Sequence, residues 1–261
     1  MKAKIFLMSL AISCFWSCQQ NESEELATDQ TINFTGALAG DEALSRAGGS
    51  FIDLISMRTD SDDAFTVFNL GKDTRSWAEF GKAGEVLFYA HYPRLPEELS
   101  GAETRVLKGG TENYLFGLAK AVKGQREVCL LFKRVMAPLV VEVLDEDGNP
   151  YPGSAEVSAL LKNKGIQNLK DGSVTTLDEV EYVKIECAAD GTTRGTGTFP
   201  SINLLPQRIE KGTPFQVQLS DGRAYTATVA ETIQLESGES YKAVVSADKV
   251  TLKIFDGSIP L

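Results

Sequence analysis

Val128 to Leu144 reads VCLLFKRVMAPLVVEVL, the most apolar run outside the N-terminal leader. β-branched residues crowd it, its apolar positions lack helical spacing, and Pro138 interrupts it. The run predicts two buried strands, Glu127–Lys133 and Leu139–Leu144, joined at a bend around Met136–Pro138. Asp145-Glu-Asp-Gly148 predicts a turn, because Asp and Gly tolerate tight turn geometry. One buried strand directly after another can close one β-layer and begin the next. The run is therefore the expected join of two β-sandwich domains, residues 31–135 and 136–261.

Towards the N-terminus, Thr31–Gly36, Phe51–Met57, Ala64–Leu70, Glu85–Tyr92 and Asn113–Val122 read as strands. Ser76–Phe80 is a short aromatic segment, and residues 94–112 read as polar and irregular. Towards the C-terminus, Ala155–Leu161 fits either a strand or one helical turn. Val180–Cys187, Thr232–Leu235, Tyr241–Ser246 and Val250–Phe255 read as strands. Pro200 places Phe199–Leu205 at a sheet edge. Phe215, Val217 and Leu219 alternate with Gln216 and Gln218. Ser220-Asp-Gly-Arg223 turns the chain, and Tyr225, Ala227 and Val229 continue the inward face. About a dozen short, turn-punctuated strands with no clear helix predict an all-β, antiparallel sandwich architecture.

At 43% apolar residues the chain can bury a core. It carries 36 acidic and 26 basic residues, for a net charge of −10. That balance argues against nucleic acid or anionic lipid headgroups as charge-driven partners. Lys2 and Lys4 precede a short apolar core, Ile5–Ile12, far below the roughly 20 residues of a membrane span. Phe15-Trp-Ser-Cys18 follows and is similar to a bacterial lipoprotein processing site. Residues 1–17 are thus the expected signal peptide. Residues 18–30 are the expected flexible acidic tether, with lipid, such as palmitate, on Cys18. Ala11-Ile-Ser-Cys14 competes, but the polar tether begins directly after Cys18. Acyl chains at Cys18 would hold the protein on a membrane.

Cys129 and Cys187 then remain, one per expected domain. An oxidising compartment permits a disulfide, but burial as two free small hydrophobes is the preferred reading. Nothing in the sequence has zinc-ligand spacing. His91 is the sole histidine and stands in an aromatic strand without an assignable nucleophile. No catalytic residues, metal or cofactor are assigned, and the chain is read as a non-enzyme. Asp145-Glu-Asp147-Gly-Asn149 faintly resembles a calcium loop but lacks the distal Glu, so a turn is preferred. Trp77 or Tyr92 could stack on a sugar, although a core position is the commoner use of Trp77.

Several motifs in a fixed order carry a family resemblance. They are Ile32-Asn-Phe34, Ser45-Arg-Ala47, Val86-Leu-Phe-Tyr-Ala-His-Tyr-Pro93, Tyr114-Leu-Phe-Gly-Leu-Ala119 and Val128-Cys-Leu-Leu-Phe132. Thr198–Gln207, Phe215–Leu219, Asp221–Tyr225 and Gly238–Tyr241 follow. With the lipoprotein leader, this order resembles the fimbrillin (Mfa-like, type V pilin) family of Bacteroides-type bacteria. Arg134 stands where the family usually has histidine.

The resemblance implies two transthyretin-like β-sandwich domains, export to the outer membrane, and a fimbrial structural or adhesive role. It also implies that an arginine-specific protease removes the N-terminal strand, so that a neighbouring subunit's strand can enter the groove. Arg46, before Ala47, is the expected maturation site, because it is the only Lys or Arg between Lys4 and Arg58. Ile32 and Phe34 mark the removable strand. Leu252, Ile254, Ile259 and Leu261 mark the candidate donor, unless that tail is a resident strand. The implied partners are other fimbrial subunits, the outer membrane through the lipid, and a host or bacterial surface ligand. The alternative reading is a surface glycan-binding lipoprotein that does not polymerise.

Overall fold

The computed structural model describes residues 30–39, 52–187 and 201–255. The first half of the chain carries β1 (Thr31–Leu38), β2 (Leu54–Thr59), β3 (Thr66–Asn69), β4 (Thr74–Ser76), β5 (Glu85–Tyr92), β6 (Thr104–Lys108), β7 (Leu115–Val122) and β8 (Glu127–Arg134). The second half carries β9 (Ala137–Val143), β10 (Ala155–Lys162), β11 (Lys164–Asn168), β12 (Val174–Thr176), β13 (Val180–Cys187) and β14 (Ser201–Leu204). It continues through β15 (Arg208–Ile209), β16 (Pro214–Leu219), β17 (Ala224–Val229), β18 (Ile233–Gln234), β19 (Tyr241–Val245) and β20 (Lys249–Ile254). The only helical segments described are two short 3₁₀ turns, Trp77–Phe80 and Glu97–Leu99. The all-β sandwich architecture expected from the strand pattern is the one observed.

A seven-stranded sheet has the order β3-β2-β5-β7-β8-β1-β4. It encloses a core that includes Ile32, Phe34, Ile55, Met57, Trp77, Phe88, Leu130 and Phe132. An eight-stranded sheet has the order β13-β10-β16-β17-β20-β19-β9-β14 and encloses a second core around Val141, Val157, Phe215, Val217 and Tyr241. Its end strand β13 comes back against β9, with the Cys187 thiol lying 3.9 Å from Val141 O. The β16–β17 hairpin pairs Val217 with Tyr225, in the expected register. Asp221 Oδ1 accepts from the Arg223 amide in its turn, where Gly222 adopts φ +90°. β14 is an edge strand, and Ala155–Leu161 resolves as strand.

The run from Val128 to Leu144 does change sheets, ending the first with β8 and opening the second with β9. Its two strands differ in kind. β9 is buried almost throughout, whereas β8 alternates and leaves Leu131 and Cys129 exposed. The expectation that both strands are buried, and Cys129 with them, is corrected for β8 by that alternation. Both cysteines are free, and Cys187 is the buried one.

A further correction concerns residues 94–112, which are not irregular throughout. β6 lies there and pairs with β11, from Thr104↔Asn168 to Lys108↔Lys164. The sheet β12-β11-β6 thus joins a strand of the first half to two of the second. Leu107, Phe116, Val135, Met136 and Leu205 pack around this junction.

Candidate functional site

β1 reads TINFTGAL, and strict alternation over its first residues sends Ile32 and Phe34 inward while Thr31, Asn33 and Thr35 stay exposed. Ile32 is 0% and Phe34 1% exposed. Phe34 meets Phe68 and Phe88 edge-on, with ring centroids 5.2 and 4.9 Å away. Leu38 closes the inward row at the other end. Burial of each such side chain contributes roughly 1.5–3 kcal/mol. The row fills three pockets in the first core.

Gly36 is the third of the four inward positions. A Cβ there would stand 3.1 Å from both Leu70 Cδ1 and Phe132 Cε2. The Phe132 ring occupies the volume that a side chain would need, so close approach, rather than turn geometry, calls for glycine here.

β1 runs parallel to β8, from Asn33↔Glu127 to Leu38↔Phe132. On its other side β4 covers only Thr31–Asn33. Gly71 adds one amide bond to Phe34 O at 3.1 Å, and the Trp77 amide bonds Gln30 O at 3.0 Å. One full ladder and one three-residue ladder therefore hold this strand. Its apolar side chains sit in a slot that the rest of the sheet does not fill. A cleft of about 420 Å³ lies where the strand ends, lined in part by Ala39, Phe116, Lys133 and Val135.

The other residues singled out by sequence are placed as follows. Cys18, Arg46, Ala47, Ile259 and Leu261 lie outside the described residues, as does Cys14. Leu252 and Ile254 belong to β20, which pairs along β19 and briefly with β17. Leu252 packs partly against the second core, and Ile254 is 58% exposed. Trp77 is buried in the first core, and its Nε1 donates to Gln125 O at 2.9 Å. It therefore offers no ring face to a sugar, and Tyr92 packs partly against the same core. Asp145 Oδ1 accepts from the amides of Asp147 and Asn149, which makes this loop a capped turn. Among the described residues no group of three or more His, Cys, Asp and Glu could hold a metal ion.

His91 is fully buried, and its Nε2 donates to Leu169 O at 2.9 Å. Burial, then the Arg105 charge, lower its pKa to about 3, so the ring is neutral at ordinary pH. Sequence reasoning missed Gly36 and Phe132 as parts of the slot. The available signal was a glycine inside an alternating strand pattern.

A family model described as fimbrillin-like matches residues 27–260. A solved structure from Bacteroides thetaiotaomicron, a "putative cell adhesion protein", is 32% identical, with a TM-score of 0.64 over 89% of this chain and 99% of that one. A second "putative cell adhesion protein", from Bacteroides ovatus, is 18% identical, with a TM-score of 0.65 over 89% of this chain and 99% of that one. A third, from Bacteroides uniformis, is 14% identical, with a TM-score of 0.59 over 79% of this chain and 92% of that one. The second and third share the fold. No curated protein sequence matches the chain.

Proposed function

We propose that this chain, which belongs to the fimbrillin-like family, is a cell-surface fimbrial subunit that polymerises by strand exchange at the β1 slot. The observation that carries the reading is β1 itself. It is the first described strand, it lies between β8 and the three-residue β4, and its inward row, Ile32, Phe34, Gly36 and Leu38, can leave with only the short β4 ladder lost beyond its pairing with β8. Its loss would bare three apolar pockets and the hydrogen-bonding edge of β8, a surface that favours a replacement strand. Arg46 follows β1 by eight residues and is the proposed cleavage point, with Ala47 as the new N-terminus.

The sequence of the donor supports the same reading. Phe255-Asp-Gly257-Ser-Ile259 repeats the spacing of Phe34-Thr-Gly36-Ala-Leu38. In that register Phe255 takes the Phe34 pocket, Gly257 passes the Phe132 ring and Ile259 takes the Leu38 pocket. Leu261 then reaches the apolar wall of the cleft at the end of β1. This register replaces Leu252 and Ile254, which β20 holds along β19 in their own subunit, and begins at Phe255, whose amide leaves Ser240 O, 2.8 Å away, on insertion. Ile259 and Leu261 remain in the donor set. The donor binds parallel to β8, as β1 does.

Export as a lipoprotein anchored through Cys18 to the outer membrane completes the proposal, and the subunit is structural or adhesive rather than catalytic. A ligand on a host or bacterial surface would then be met at the fimbrium. Cys18→Ala should leave unprocessed precursor or release the protein from membranes, whereas unchanged lipid labelling would reassign the lipid to Cys14. The exchange is tested by Gly257→Val and Ile259→Asp, neither of which lies in a described strand. Both variants should melt like the parent and fail to polymerise after cleavage. Normal filaments from both would refute the donor register.

A further inference from the structure

The face of the first sheet opposite its core carries an unusual charge balance. Arg58 on β2, His91 on β5 and Arg105 on β6 are buried there, with exposures of 6%, 0% and 6%. Gln167 on β11 joins them at 0%. The register sets Ser56 opposite His91 and Arg58 opposite Tyr89, so Arg58 and His91 share one face of the sheet. Arg105 pairs with Gln167 in β6–β11, and its Nε donates to Gln167 Oε1 at 2.6 Å. Its Nη1 lies 3.5 Å from Pro93 O, two residues beyond His91. The His91–Leu169 bond crosses from the same sheet to the residue just beyond β11. Phe65 links Arg58 to His91, lying 4.3 Å under the Arg58 guanidinium and 5.1 Å from the His91 ring.

Two guanidinium charges are thus buried with no carboxylate among the described residues in ion-pair range of either. Tyr114 and then Glu112 are the acidic groups felt at Arg105, and Glu112 accepts from the Tyr114 hydroxyl rather than from the guanidinium. Arg105 stacks over that Tyr114 ring at 4.7 Å. Burial lowers the Arg105 pKa to about 10, the mark of an under-compensated cation. Hydrogen bonding is unbalanced in the same sense. Arg58 Nη2, Arg105 Nη2 and Gln167 Nε2 are buried donors without a partner. Nε2 of His91 is the donor to Leu169 O, so Nδ1 is the one unpartnered acceptor of the neutral ring. A buried charge is costly unless it is paired, and an excess of donors calls for an acceptor species.

We infer that this junction binds a small monovalent anion of the halide class, held by Arg58, Arg105 and the Gln167 amide between the two halves of the molecule. A halide supplies charge and accepts several hydrogen bonds within an enclosed space. It would fasten β6 and β11 to the β2–β5 face, and so fix the orientation of one sandwich on the other. The inference stands apart from the strand exchange, since β1 contributes nothing to the junction.

The test uses the full-length protein. Crystals soaked in sodium bromide and measured at the bromine absorption edge should show an anomalous peak beside Arg105 Nη2. In solution, Tm should rise with the logarithm of chloride concentration in sodium chloride and stay flat in sodium gluconate of equal ionic strength. Arg105→Gln and Arg58→Met should each abolish the chloride-specific rise, and either folded variant suffices for the comparison. Ordinary water density with no anomalous signal would overturn the inference. Equal Tm in the two salts would also overturn it, even with a bromide peak, since that result is binding at crystal concentration only.

Discussion

The Phe132 ring on β8 stands 3.1 Å from the point where a Cβ on Gly36 would sit, so these two residues of neighbouring parallel strands fit only because one lacks a side chain. The same ring presses on Gly117 of β7, where a Cβ would be 2.8 Å away. Phe132 thus lies between two glycines on the strands flanking its own. The β1 slot is therefore shaped by a bulky ring in the acceptor and a bare position in the occupant.

Gly36→Val should destabilise the folded subunit by about 1–3 kcal/mol, the usual cost of overpacking a filled core. Thermal or urea unfolding measures this directly. Phe132→Leu placed in the same chain should recover part of the loss, because it shortens the group that the new side chain strikes. An unaltered Gly36→Val midpoint would mean that the ring moves aside freely.

Val217 is 1% exposed in the middle of β16, between the exposed Gln216 and Gln218. Val217→Asp should cost roughly 3–5 kcal/mol, since it buries an unpaired carboxylate among apolar neighbours. Gln216→Asp on the outer face should stay within about 0.5 kcal/mol of the parent. The pair of variants reads the strand register, which a slip of one residue would invert.

His91 gives the protein an acid-sensitive joint. Its pKa falls from 6.5 in the unfolded chain to about 3 in the fold, mainly through burial. Between those values the unfolded chain binds the extra proton, so stability rises with pH. Each pH step downward from 6.5 costs up to about 1.4 kcal/mol from this residue until pH nears 3. Above pH 6.5 the residue adds no pH dependence. His91→Gln keeps a donor for Leu169 O and should flatten the stability profile between pH 6 and 4, about 1 kcal/mol or more per step. A variant profile parallel to that of the parent would mean that His91 is charged in the fold.

β1, β6 and β11 differ in how far their burial is written in the local sequence. Ile32 and Phe34 alternate with polar neighbours, so one-sided burial is written in the local pattern. The β16–β17 hairpin was legible for the same reason, with its turn residues adding the register. β6 alternates too, but the inward positions are Arg105 and Leu107, and a buried arginine reads as a solvated one. β11, KGIQN, buries Gly165 and Gln167, which carry no apolar signal at all. Their burial comes from the second half packing on the first, a long-range event that no local window contains. For the site, the inward row of β1 was legible, whereas its parallel pairing with β8 and the Gly36–Phe132 fit were not. Those depend on which strand, about a hundred residues away, stands beside it.

Removal and replacement of β1 is tested most directly by cutting the purified protein with an arginine-specific protease and following the product. Mass spectrometry should find a polypeptide beginning at Ala47, and electron microscopy should show filaments growing from it. Arg46→Ala should stay intact at that point and remain monomeric under the same treatment. Filaments from Arg46→Ala equal to those of the parent, or an Ala47 product that stays monomeric at high concentration, would contradict strand exchange at the β1 slot.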